Sequence, residues 1–89
     1  MAKYLVKTIA TSPKNGDTQI LFHGLENRVV GAYFYIGDDF MTARELTDER
    51  IQKYGFKTAS GAARSYAASN PHGVETTFGV DIEIVRFDI

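Results

Sequence analysis

Apolar and polar positions alternate along most of this chain, and the alternation breaks in only a few places. "KYLVKTIA" (3–10) puts Tyr4, Val6 and Thr8 on one side and Leu5, Lys7 and Ile9 on the other, the period of a strand. "TSPKNGD" (11–17) is turn chemistry. Its Asn15-Gly16 favours positive φ at successive residues, the twist of a tight hairpin. "TQILFHG" (18–24) returns as a second strand, with Ile20 and Phe22 on one face and Gln19, Leu21 and His23 on the other. After the polar turn "LENR" (25–28), "VVGAYFYI" (29–36) is apolar on both faces, as a central strand is. Gly31 within it marks a bulge or a close packing contact.

Beyond the "GDD" turn (37–39), residues 40–46 satisfy two patterns. Phe40, Thr42, Arg44 and Leu46 alternate with Met41, Ala43 and Glu45, as in a fourth strand. Thr42 and Glu45 also have the spacing of a capping box that would open a helix. The following signal is single-valued. Thr47 caps a helix over 48–54, with Asp48 and Glu49 in its first turn and Leu46 and Ile51 at the spacing of a hydrophobic staple. Gly55 suits the left-handed position that ends such a helix, with Phe56 folding back on the last turn.

Thr58 caps a second helix, 59–69, and Asn70-Pro71 stops it. Ala59, Ala62, Ala63, Tyr66 and Ala67 form one stripe of that helix, thin enough to lie close on a sheet. "TFGVDIEIVRFDI" (77–89) is a last strand, with Val80, Ile82 and Ile84 toward the helices and Val85, Phe87 and Ile89 on the other face. The element order is β-β-β-(β)-α-α-β. The expected class is α+β: a mostly antiparallel sheet of four to five strands, with two short helices packed on one face, forming a single domain over residues 1–89.

Composition narrows the reading. Hydrophobic residues at 44% with 12% aromatics exclude a disordered chain. No cysteine is present, so disulfide stapling is absent and a reducing, cytoplasmic setting is expected. No apolar run reaches the length of a membrane span, and no membrane partner is expected. The net charge of −1 argues against a dedicated nucleic-acid binder, whose affinity rests on cations facing phosphate.

Candidate chemistry is sparse. His23 and His72 fall in no metal or triad spacing, and there is no cysteine nucleophile or glycine-rich phosphate loop. Asp17, Asp38 and Asp39 lack the regular ligand spacing of a calcium loop. The expectation is therefore a non-enzyme with no catalytic residue, no metal and no cofactor.

Two surfaces remain as candidates. Tyr33, Tyr35, Val85 and Phe87 would share a sheet face that no helix covers, an interface for a homodimer or another protein, with the edge of the last strand as a second route to a dimer. Arg50, Lys53, Lys57 and Arg64 would gather near the second helix as an anion or nucleic-acid contact. "GFKT" (55–58) followed by Ala62-Ala63 resembles the start of the final helix in the arm-type DNA-binding domains of tyrosine recombinases. Those are small, usually basic units of three strands and a helix. This chain departs from them in its acidic balance and in its further strand after the helix.

Overall fold

A computed structural model describes residues 2–69 and 80–89. The strands are β1 (Ala2–Thr11), β2 (Thr18–His23), β3 (Val29–Ile36), β4 (Asp39–Arg44) and β5 (Val80–Asp88), with helices α1 (Asp48–Tyr54) and α2 (Ala59–Ser69) between β4 and β5. All five strands form one antiparallel sheet in the order β4-β3-β2-β1-β5. The fold is α+β with the expected order of elements. Residues 39–44 take the strand alternative, because the two-residue Gly37-Asp38 turn folds them straight back on β3.

β1 lies between β2 and β5, and its neighbours Leu5 and Val6 are 0% and 1% exposed. Adjacent strand residues point to opposite faces, so both faces of the sheet are covered there. Leu5 packs with Phe22, Val30 and Ile51 of α1, and Val6 packs with Phe56 and Ala62 of α2. The expected placement of both helices on one face is thus corrected: each helix takes its own face.

The crossing point is an isolated pairing of Tyr4 with Phe56. β2 ends at His23, opposite Val6, which leaves the β2 side of β1 open at Tyr4. Phe56 fills that lane, and the chain passes from the α1 face to the α2 face through it.

The caps follow the local sequence. Thr47 Oγ1 accepts from Arg50 N at 3.3 Å, and Thr58 Oγ1 accepts from Gly61 N at 3.0 Å. A helix of seven residues is marginal alone, so the burial of Ile51 beside Leu46 holds α1 in place. Burying such a side chain contributes about 1.5–3 kcal/mol, and the Thr47 cap about 1 kcal/mol.

Three local expectations are corrected. Gly55 is extended (φ −72, ψ 150) and not left-handed. It is needed because an added Cβ would stand 2.5 Å from Ile51 O and 2.8 Å from Lys3 Cβ. Phe56 accordingly pairs with Tyr4 and does not fold back on α1. In the β1–β2 loop only Gly16 has positive φ (77), and Asn15 Oδ1 instead accepts from Asp17 N at 3.0 Å. Ser12 N bonding Asp17 O and Gly16 N bonding Ser12 O make this a wider loop than a tight hairpin.

On α2, Ala62 is fully buried and Ser65 and Tyr66 are half-buried, whereas Ala59, Ala63 and Ala67 are exposed. The buried stripe is therefore rotated from the expected one and includes a serine. Gly31 is a close contact, since a Cβ there would meet Leu46 Cβ at 3.0 Å. It also adjoins a register shift against β2.

Candidate functional site

The β3–β4 hairpin carries four exposed large apolar side chains among the described residues. Cross-strand partners share a face, so the pairs Tyr35–Phe40 and Phe34–Met41 sort its apolar side chains onto two sides. Tyr35 and Phe40 are 45% and 50% exposed on the α1 face, and Ile36 and Met41 are 51% and 54% exposed on the other. The aromatic side is a short ladder. Phe40 stacks on Tyr33 with centroids 5.4 Å apart and planes at 18°, and it meets Tyr35 at 5.0 Å. The turn is anchored, because Gly37 N donates to Asp17 Oδ1 at 3.1 Å. All six residues of β4 are exposed, and among the described residues no other strand pairs with its outer edge.

The expected interface residues part company. Val85 and Phe87 pack against the cluster of Leu5, Phe22, Val30 and Ile51 under α1. Tyr33 joins the same cluster, and its hydroxyl accepts from Leu46 N at 2.9 Å. These three serve the core, and the premise of a face without a helix does not hold. Tyr35 alone of the four is open. Phe40 and Met41 were missed because residues 40–46 read equally as helix, and Ile36 because 29–36 read as a strand covered on both faces. Taking "GD" as a two-residue hairpin turn would have placed Phe40 and Met41 on an edge strand and Ile36 beside it.

The expected basic residues do not converge either. Arg50 and Lys53 lie on α1, Lys57 in the crossing segment and Arg64 on α2, beyond the other face of the sheet. A different basic set forms instead. Two contiguous shallow grooves share Arg44 and Tyr54, and between them they are lined by Arg28, Arg44, Arg50 and Lys53, with Glu49 as the acidic side chain in their walls. The guanidinium of Arg28 and the ammonium of Lys53 each sit 5.4 Å from the Tyr54 ring centroid. Arg44 Nη1 donates to Val29 O at 3.2 Å, Arg50 Nη1 donates to Glu45 O, and Arg28 pairs with Glu26 at 3.2 Å. Arg28 and Arg44 carried no sequence signal, because 28 and 44 meet only through the β3–β4 pairing.

His23 faces α2. Its Nε2 lies 3.3 Å from Thr8 Oγ1, and its ring is 5.5 Å from that of Tyr66. Burial holds its pKa below the usual imidazole range, and the Asn27 side chain offsets part of that. Nδ1 is buried, and among the described residues it has no partner in hydrogen-bonding geometry. His72 lies outside the described residues.

Among the described residues, no group of three or more His, Asp or Glu side chains is placed to hold a metal ion, and no helix is long and apolar enough to cross a membrane. Comparison with known protein families, with curated proteins and with solved structures finds no match to this chain.

Proposed function

We propose that this protein is a small non-catalytic interaction module that binds protein by adding a strand at the outer edge of β4. The observation that carries this reading is the pairing of an open strand edge with apolar side chains on both sides of it. Tyr35 and Phe40 stand on one side, Ile36 and Met41 on the other. A partner lying flat on either face would leave the opposite side in water. A strand added at the edge satisfies the free amides and carbonyls of β4, and it brings side chains to both faces at once.

The test is selection of extended peptides from a displayed library on the wild-type chain, with Met41→Lys as the comparison. Sequences of alternating apolar residues are expected, with affinity falling about tenfold or more on the variant. Enrichment of peptides that bind both chains equally would refute edge recognition.

A second reading follows from the grooves around Tyr54. Arg44, Arg50 and Lys53, with Arg28 held by Glu26, face Glu49 in these grooves on a chain of net charge −1. Such a surface suits the phosphate backbone of a single-stranded nucleic acid. Binding would then weaken steeply as salt rises, and Arg44→Glu with Lys53→Glu would abolish it. No binding at low salt removes this alternative.

A further inference from the structure

The partner best matched to the β4 edge is a second copy of the chain, and we infer a two-fold dimer in which the two β4 strands pair antiparallel about Met41. This rests on the edge-binding reading above and names the partner for it.

The argument begins with symmetry. A two-fold axis perpendicular to a sheet keeps every side chain on its own face. Residues paired across the axis must therefore come from the same face of β4. Asp39 and Met41 share one face and Phe40 and Thr42 the other, as their partners Ile36, Phe34, Tyr35 and Tyr33 on β3 require. Only registers centred on a residue are then allowed, which leaves Phe40, Met41 or Thr42 at the axis.

Charge selects among the three. Ala43 is the extra residue of a bulge in β4, so centring on Thr42 sets Met41 opposite Ala43 and Arg44 and brings no cation to Asp39. Centring on Phe40 sets Asp39 against Met41 and brings no cation beside it. Centring on Met41 sets Phe40 against Thr42 and Asp39 against Ala43. The register shift between Ala32 and Tyr33 makes Ala43 the extra residue, which puts Arg44 on the face of Asp39. Arg44 of the second copy then stands beside Asp39, and the opposite-charge contact occurs twice.

Backbone geometry agrees. The two-residue turn makes Ile36 and Asp39 a hydrogen-bonded pair, so Met41 also turns its amide toward β3. Phe40 and Thr42 present their free groups outward, where each meets the other's counterpart across the axis.

The other edge does not offer the same match. β5 carries Asp81, Glu83 and Asp88 against Arg86, and Arg86 already pairs with Asp88 at 3.0 Å. Self-pairing there would accumulate negative charge.

The chain has no cysteine, so single-cysteine variants report the register directly. Two residues at the axis in a non-hydrogen-bonded pair have Cα atoms about 4.5 Å apart, within reach of a disulfide. Met41→Cys is expected to give a covalent dimer under mild oxidation about tenfold faster than Thr42→Cys or Ile82→Cys, with Met41→Lys monomeric in sedimentation equilibrium and unchanged in circular dichroism. Equal cross-linking at all three positions, a monomer throughout the micromolar range, or open-ended association of β4 with β5 would each overturn the inference. Loss of the dimer with retention of Met41-dependent peptide binding would leave the edge reading standing without it.

Discussion

Tyr4 and Phe56 bond backbone to backbone in both directions, Tyr4 N to Phe56 O at 2.9 Å and Phe56 N to Tyr4 O at 2.8 Å. This two-bond bridge decides which face of the sheet each helix covers. It sits where β2 has ended, so the chain passes from one layer to the other without disturbing the β1–β5 pairing. Phe56 then turns its ring into the cluster with Val6 and Ala62.

The bridge also sets the phase of α2. Ala62 faces the sheet with no exposed surface, whereas Ala63 is exposed. Ala62→Leu is expected to overpack and destabilise by about 1–3 kcal/mol, and Ala63→Leu to stay within about 0.5 kcal/mol. Chemical denaturation of the two variants checks this, and equal losses would contradict the assigned phase.

Gly55 is required for a spatial reason. Its φ of −72 suits any residue, but a Cβ would press on Ile51 O and Lys3 Cβ. Both neighbours are fixed, one by α1 and one by β1. Gly55→Ala is expected to cost more than about 1 kcal/mol. At Gly16 the situation inverts: φ is 77 and an added Cβ would meet nothing within 4 Å. Gly16→Asn should be tolerated there while Gly16→Val should not, because Asn adopts the left-handed region and a β-branched residue does not. Thermal melts of the three variants separate steric contact from backbone conformation.

His23 gives the fold a pH response of predictable sign. Burial lowers its folded pKa below the ordinary 6.5, so the unfolded chain binds the proton more readily. Stability is then fully present above pH 6.5 and falls as pH drops from there through the folded pKa. Thr8, Asn27 and Tyr66 surround the ring without a carboxylate among them to hold an imidazolium. His23→Gln is expected to flatten this slope in denaturation curves taken across that range. A slope unchanged by the substitution would mean that another group carries it.

The features legible in the sequence are the local ones. Thr47 and Thr58 cap their helices because the capping hydrogen bonds span only three residues. The strands show through alternation, and β1 is placed by it almost to the residue. Helix sidedness was not legible, since it depends on a pairing between residues 4 and 56. The α2 phase was hidden by alanine itself: with Ala59, Ala62, Ala63, Ala67 and Ala68 around the helix, no one side stands out as apolar. The open edge was hidden by Thr42 and Glu45, whose spacing imitates a capping box that the Gly37-Asp38 turn overrides. The basic grooves depend on β3–β4 register and on α1 docking, neither of which leaves a mark in any single segment.

Tyr33 joins the exposed hairpin to the core. Its ring stacks with Phe40 and meets Phe22 edge-on at 6.2 Å, while its hydroxyl accepts a hydrogen bond from Leu46 N. Leu46 is the residue that leads into α1, so this hydrogen bond fixes the linker against the sheet. Tyr33→Phe keeps the ring contacts and removes only the acceptor, leaving a half-buried amide without its partner. A loss of about 0.5–1.5 kcal/mol is expected, together with faster exchange of the Leu46 amide. Tyr35→Phe, at a side chain 45% exposed, is expected to be close to neutral. If both variants retain full stability and Leu46 remains protected, packing alone places the linker and the tyrosine hydroxyl contributes nothing to it.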